Sequence, residues 1–348
     1  MAQAYLNAIG TAVPDQDIHQ PFLDWALARI PDPRHAKLFE RMVGRSGLEH
    51  RWSVLPPAPC GGSPAEPGGF YGRETLPGTG ERMQLYGELA PNLALRAIDG
   101  IEADLSGITH LVVASCTGFV APGVDQIIAR RLGLNPSVER LLVGYMGCYA
   151  AVVALRSARH IVRSEPSARV LVVTVELCSL HLHEMDQVEA MLAGLQFGDG
   201  AAAALVTGDR QGTELGQPFS ATLPESDELI RWDITDQGFA MQLSGEVPGR
   251  IGAALAEPDL REFIVNGGVD QWAVHAGGRS ILDAVQNALQ LPPDSLDDSR
   301  AVLRAFGNMS SSTLMFVLQR QLGRPCDSGV AIAFGPGLAA EGFRFAHA

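Results

Sequence analysis

The chain has 348 residues, too many for one ordinary hydrophobic core and enough for two units of roughly 100–200 residues each. Lys and Arg number 26 against 39 Asp and Glu, a net charge of −13, and Lys37 is the single lysine. With no basic tract the chain is a poor match to nucleic acid or an anionic membrane, because affinity for phosphate arrays needs clustered cations. A content of 46% hydrophobic and 19% charged residues excludes disorder.

The start, MAQAYLNAIGTAVP, has no basic segment before an apolar run, so no secretory signal is expected. The longest apolar stretches, such as Tyr149 to Leu155, fall far short of the ~20 residues that span a bilayer. Cys60, Cys116, Cys148, Cys178 and Cys326 are odd in number, widely spaced and free of any CxxC. That argues against a disulfide framework or a zinc ribbon and for the reducing cytoplasm.

In chain order, residues 17–51 read as helical, with Phe22, Trp25, Ala26 and Ile30 at helical spacing. Between Pro56 and Gly80, six prolines and seven glycines rule out helix or strand and predict a long surface excursion. Helical periodicity returns over Glu81–Ile101. Strand His110–Ser115 then precedes a helix near Gly123–Leu132, and strand Arg140–Gly144 precedes the helix Cys148–Val162. Two further strands follow, Arg169–Glu176 and Gly200–Gly208.

The second half repeats the order. Strand Asp270–His275 leads to helix Ser280–Leu289, strand Ala301–Phe306 to helix Ser312–Leu322, and strands Gly329–Phe334 and Glu341–Ala346 close the chain. Runs apolar on both faces and separated by helices predict an α/β fold whose sheets are covered on both sides. Two similar halves are expected, with loops after the strands converging on a site.

Three residues stand where such loops meet. Cys148, in GYMGCYAA, falls between a strand end and a helix, where free N–H groups and the helix dipole favour an anion. It reads either as a nucleophile with a lowered pKa or as a small buried core residue. His275, in WAVHAGG, suits acid–base work or is a satisfied structural histidine. Asn308, in FGNMSSS, is an oxyanion donor or a helix cap. Taken together, a thiol, an imidazole and an amide are the parts needed for acyl transfer followed by carbon–carbon bond formation.

The motifs GYMGCYAAV, FGDGAAAAL from Phe197, WAVHAGGRSILD, AFGNMSSST and AFGPGL from Ala333 lie in order over more than half the chain. In them the chain resembles the type III polyketide synthases, the chalcone synthase-like branch of the thiolase superfamily. The resemblance implies a thiolase fold of two βαβ-type halves in a layered αβαβα core, residues 1–210 carrying the cysteine and 211–348 the histidine and asparagine. It implies a homodimer that uses malonyl-CoA and an acyl-CoA starter, with no metal or redox cofactor. Cys148 would accept the starter and the growing chain. His275 would keep the thiol ionised and, with Asn308, bind the malonyl carbonyl as CO₂ leaves.

An acidic chain needs a local positive patch for CoA phosphates, and Arg34, His35, Lys37, Arg41, Arg45, His50 and Arg51 supply one against Glu40 and Glu49. Arg41 and Arg45 match the family's phosphate-binding positions. Leu38 stands where a lysine is common, with Lys37 beside it. Ser310 and Ala333 match positions near the pantetheine arm. Phe197 matches one gatekeeper phenylalanine and Met241 replaces the other. Trp232 stands at a cavity glycine, Cys116 and His181 at cavity threonines, and Ala121 at a methionine that crosses to the partner's site. These departures resemble bacterial members. A ketoacyl synthase III-like enzyme making one condensation, and a thiolase-fold scaffold that binds acyl-CoA without condensing, are the rival readings. Asp199 is expected as a structural turn residue. His181, His183 and Glu184 resemble metal ligands only superficially. Cys116 is expected to line the cavity, the alternative being a second reactive thiol.

Overall fold

The computed structural model describes residues 2–183 and 188–347. Its strands, in chain order, are β1 (Tyr5–Ala12), β2 (Gln16–Asp17), β3 (Trp52–Ser53), β4 (His110–Ser115), β5 (Glu139–Gly144), β6 (Val170–Leu177), β7 (Asp199–Thr207), β8 (Thr213–Thr222), β9 (Ile230–Thr235), β10 (Gly238–Leu243), β11 (Gln271–Val274), β12 (Gly329–Gly335) and β13 (Ala339–His347). Nine of them form one sheet in the order β11-β12-β13-β8-β1-β7-β6-β4-β5.

The repeat expected from the sequence is visible in that order. In the first half, β4 pairs parallel with β5 and β6, then β6 with β7 and β7 with β1 antiparallel. In the second, β11 pairs parallel with β12, and β12 with β13 and β13 with β8 antiparallel. The halves are stitched where Tyr5 and Leu6 of β1 face Glu214 and Thr213 of β8. β4 and β11 therefore occupy equivalent places, so Cys116 and His275, the residues that follow them, are topological counterparts.

One expected strand is a helix. Ala301–Phe306 belongs to the helix Asp297–Phe306, so the second half has no counterpart of the edge strand β5. Asp297 and Asp298 sit in its first turn and Arg304 in its last, the charge order that the helix dipole favours. A six-residue apolar run does not by itself separate strand from helix. Asn308 thus follows a helix, and its backbone makes a single parallel bridge to Phe197.

Helices Ala150–Ser164 and Ser312–Gln321 are packed inside the molecule. Ala150, Ala151, Val152, Ala154, Leu155 and Ala158 of the first, and Leu314, Met315 and Val317 of the second, share one core with Ala202, Ala204, Ala331 and Ala333 of the sheet. The small strand residues let the helices approach closely. The opposite faces of the sheet pack in a second core with helices Thr79–Asp99 and Arg279–Leu289. The sheet, continuous through β1 and β8, is thus covered by helices on both faces.

The 17–51 segment is two helices, His19–Leu27 and Pro33–Ser46. Asp32 caps the second, its carboxylate accepting from Arg34 N at 2.8 Å with Pro33 at the first helical position.

Candidate active site

The turn that carries Cys148 needs backbone conformations that few side chains adopt. After β5, Tyr145 adopts φ 59° and Gly147 φ 67° before a 3₁₀ turn, Gly147–Tyr149, runs into helix Ala150–Ser164. A Cβ at Gly147 would lie 2.5 Å from Pro336 Cδ and 3.0 Å from Trp232 Cη2, so both its φ and its lack of a side chain are required. Gly335 and Pro336, from the AFGPGL motif, close over this turn, and a Cβ at Gly335 would sit 3.4 Å from Cys148 N.

His275 follows β11 and extends its pairing, its N–H donating to Ile332 O at 2.8 Å. The imidazole is 1% exposed, and among the described residues neither ring nitrogen has a partner. The ring packs over Gly277, where a Cβ would be 3.3 Å from Nε2. Asn308 is oriented by its surroundings: Oδ1 accepts from Ser310 N at 2.9 Å, and Nδ2 donates to Gly277 O at 3.3 Å. Asn308 and Ser310 both act on the Cys148 thiol, each favouring its ionised form. The structure therefore brings Cys148, Asn308 and the His275–Gly277 loop to one place.

The resting electrostatics correct the expectation of a lowered thiol pKa. Burial pushes the Cys148 thiol up to about 11, against the smaller opposing pull of Ser310, while nearby Glu176 adds to the rise and Asn308 opposes it. Burial also pushes His275 down to about 3. Burial thus opposes charging either group alone. A neutral imidazole still offers one N–H, and beside it the Asn308 amide offers another, so the pair can donate to one carbonyl oxygen.

A cavity of about 360 Å³ adjoins this centre, lined by Cys116, Ser310, Phe197, Trp232, Met241 and His181 among others. Trp232 and Met241 face each other across the β9–β10 hairpin. Phe197 is held from behind, its carbonyl accepting from Arg51 Nη1 at 2.9 Å. Cys116 is a wall residue: its Sγ lies 3.4 Å from Glu176 Oε2 and 3.2 Å from Ser310 Oγ, and burial raises its pKa well above the usual thiol range. His181 has both ring nitrogens committed. Nε2 donates to Thr117 O at 2.7 Å and Nδ1 accepts from Phe239 N at 3.1 Å, which pins the hairpin to the Cys116–Thr117 corner.

Trp232 reaches from the cavity to the Cys148 turn, so its indole sets the space beside the thiol. Trp232→Gly is expected to shift the distribution of product lengths or the preference among acyl-CoA starters by about tenfold or more. An unchanged profile across a ladder of starters would contradict that role.

One expected site residue lies elsewhere. Ala333 is fully buried in β12 and faces the internal helices, so it lines neither cavity described here; the β-strand alternation turns it away. Ala121 is exposed in the loop after Phe119. Arg51 also departs from the surface patch: it is 1% exposed and lines the large cavity. Lys37 and Arg41 are exposed on helix Pro33–Ser46, whereas Arg45 lines a second cavity of about 300 Å³ with Gln196, Gly278, Arg279, Ser280 and Asp283. Arg279 was missed, though its place four residues after His275 in WAVHAGGRS put it beside the site. Glu176 was also missed as a hub: buried, it accepts from Cys116 N, Thr117 Oγ1 and Ser311 Oγ. Asp199 is structural as expected, accepting from Val54 N, Ser179 N and Ser179 Oγ. Glu184 lies outside the described residues, and among these no group of three or more His, Cys, Asp or Glu is arranged to hold a metal ion.

Residues 1–210 match the family profile for the N-terminal domain of chalcone and stilbene synthases, and residues 214–347 the profile for their C-terminal domain. The chain is 37% identical over 287 residues to an α-pyrone synthesis polyketide synthase-like protein, Pks18, of Mycobacterium tuberculosis, covering 76% of this chain and 72% of that protein. It is 33% identical to bisdemethoxycurcumin synthase of Oryza sativa, covering 97% and 91% of the two chains. Among solved structures, the C-terminal type III polyketide synthase domain of Steely1 from Dictyostelium superposes with a TM-score of 0.87 at 27% identity, covering 99% of each chain. PKS-I from the brown alga Ectocarpus siliculosus superposes with a TM-score of 0.85 at 28% identity, covering 100% of this chain and 99% of that one. With its mixed α/β fold and both halves matched, the chain belongs to the chalcone and stilbene synthase family and is a type III polyketide synthase.

Proposed function

We propose that Cys148, His275 and Asn308 form the condensing centre, supported above all by Asn308, which acts on the Cys148 thiol and holds the His275–Gly277 loop through Gly277 O, and by the adjoining cavity that Ser310 lines. The unit 1–210 supplies the nucleophile and 211–348 the two carbonyl donors. The Cys148 thiol passes its proton to His275 as sulfur attacks the starter's CoA thioester, and the departing CoA thiolate takes that proton back. Charging both groups together offsets in part the burial that opposes charging either alone.

Malonyl-CoA then presents its thioester oxygen to a His275 N–H and Asn308 Nδ2. The bond to the carboxylate breaks, CO₂ leaves, and the electron pair becomes an enolate held by those donors. The enolate carbon attacks the Cys148 thioester, a carbon–carbon bond forms, and the Cys148 thiolate is expelled. Transfer of the longer chain back to Cys148 repeats the cycle, and the poly-β-keto chain closes to a pyrone or phenolic product. No metal or redox cofactor is required by these steps. Mass spectrometry of products from acyl-CoA starters with malonyl-CoA tests the reading. Multiply extended, cyclised products are expected, and a single condensation seen only with a carrier-linked malonyl group would favour a ketoacyl synthase III-like enzyme.

The CoA phosphates are assigned to Arg45 and Arg279, which share the second cavity with Gly278 beside the His275 loop, with Arg41 and Lys37 on the same approach. Arg45→Ala should raise the KM for malonyl-CoA about tenfold, with the effect shrinking in high salt and kcat little changed. A fall in kcat alone would contradict the assignment.

A second copy of the chain is proposed at β5, an edge strand whose Leu141 and Leu142 are 43% and 47% exposed, next to exposed Phe119 and Tyr145. Exposed apolar edges pair with other chains. Ala121 lies in the same loop and would face the partner. Sedimentation should give twice the mass of one chain, and a single-chain mass at micromolar concentration would contradict it. No helix among the described residues is long and apolar enough to cross a membrane. Five free cysteines and CoA-linked substrates support a cytoplasmic site of action.

A further inference from the structure

The hairpin β9–β10 contributes to the wall of the large cavity but stands outside the nine-stranded sheet, each strand pairing only with the other. Among the described residues, the hydrogen bonds that tie it to the rest of the chain are confined to its turn end, residues 235–239. Asp236 O accepts from Thr79 N at 2.8 Å, Thr79 Oγ1 donates to Thr235 O, and Gly238 N donates to Thr79 Oγ1 at 2.7 Å. Those three meet at one residue. The fourth lies farthest along β10, where Phe239 N donates to His181 Nδ1 at 3.1 Å. An outward-facing strand N–H that a neighbouring strand would otherwise pair is thus taken by an imidazole.

The other end of that imidazole is anchored to the body, Nε2 donating to Thr117 O at 2.7 Å, so the two bonds together require one neutral tautomer. Burial pushes the His181 pKa down to about 4, opposed by Thr117 O and assisted by Arg82 and His183, which keeps that tautomer at neutral pH. The ring also stacks on Phe239, centroids 4.2 Å apart and 12° from parallel. Phe239 and Met241 are two residues apart and share a face of β10, and Met241 faces Trp232 across the hairpin. Trp232 Cη2 in turn lies 3.0 Å from where a Gly147 Cβ would be, beside Cys148. His181, Phe239, Met241 and Trp232 all line the cavity. What holds Phe239 therefore bears on the space next to the thiol.

We propose that His181 is a positioning residue for chain length: by latching Phe239 to the Thr117 corner it sets the places of Met241 and Trp232, and so how far the chain on Cys148 grows before release. The proposal rests on the condensing role of Cys148 given above. Because His181 acts through the hairpin, its two hydrogen bonds matter more than its volume. Leucine and glutamine are similar in size, but only glutamine offers an acceptor for Phe239 N and a donor for Thr117 O.

The test compares His181→Leu and His181→Gln with the wild type, each full chain supplied with one acyl-CoA starter and malonyl-CoA, and reads the amounts of products that differ by one two-carbon unit. The ratio of the main product to its longer and shorter neighbours should fall about tenfold in His181→Leu, and His181→Gln should recover most of it. An unchanged ratio in His181→Leu would overturn the proposal, as would an equal shift in the two variants, which reports volume alone. Amide hydrogen exchange reads the latch without turnover. The Phe239 N–H should be protected in the wild type and should exchange about tenfold or more faster in His181→Leu than in His181→Gln. An unprotected Phe239 N–H in the wild type would overturn the latch even if His181→Leu does not fold. A wild-type enzyme that loads no acyl group on Cys148, read by intact-protein mass, would instead overturn the condensing role on which chain length depends.

Discussion

Cys148→Ala is expected to remove polyketide formation, lowering turnover by roughly a thousandfold or more, the scale on which loss of a nucleophile is felt in enzymes whose groups act as a unit. The substitution deletes one sulfur atom from a half-buried position and leaves the glycine turn intact, so the fold should persist. His275 and Asn308 remain to hold a malonyl carbonyl. CO₂ release from malonyl-CoA should therefore continue after chain growth has stopped. Separate measurement of CO₂ and of extended product reads the two steps apart. Product formation at the wild-type rate would mean that the chain is not carried on Cys148 and would favour the scaffold reading.

His275→Gln carries the second large effect, a fall in condensation of about 10²–10⁴-fold. Glutamine can still donate from an amide, so the loss reports the proton acceptor more than the carbonyl donor. The pH dependence separates the two. The Cys148 thiol is raised to about 11 by burial, so without an imidazole its ionised fraction is small near neutrality and grows with pH. Alkylation of Cys148 in the variant should rise about tenfold per pH unit between pH 7 and 9. In the wild type, proton transfer to His275 makes the dependence shallower and the rate near neutrality higher. Identical slopes and rates in the two proteins would remove His275 from the ionisation of the thiol.

The parts of the fold that could be read from the sequence are those whose residues report a buried environment directly. β4, β6, β7 and β12 are apolar on both faces because helices cover both sides of the sheet, and their runs of Val, Ile, Leu and Ala state that plainly. β1 and β8 were not legible. YLNAIGTA and TELGQPFSAT mix polar, Gly and Pro residues, and their strand character comes from long-range pairing with β7 and β13. Residues 301–306 were ambiguous for the opposite reason, a short apolar run that tertiary packing resolved as a helix.

The condensing centre was legible because its chemistry needs unusual local backbone. Glycines stand within two residues of Cys148, His275 and Asn308; a side chain at Gly147 would collide with Pro336, one at Gly307 would crowd Arg51, and one at Gly277 would press on His275. Arg51 was misplaced for an equally physical reason. It follows a run of surface cations along the chain, and nothing local records that β3 carries it inward while Arg41 and Arg45 stay outside. The state of the thiol depended on desolvation, which chain position does not encode.

The central claim, that Cys148 carries the growing chain, is tested most directly by peptide-mapped mass spectrometry of the enzyme quenched during turnover with an acyl-CoA starter and isotopically labelled malonyl-CoA. The account predicts a ladder of thioesters on the peptide that contains Cys148, the starter alone and then the starter lengthened by successive labelled two-carbon units, with the other four cysteines unmodified. A ladder on Cys116 or Cys178, or labelled product with no acyl group on Cys148, would contradict it.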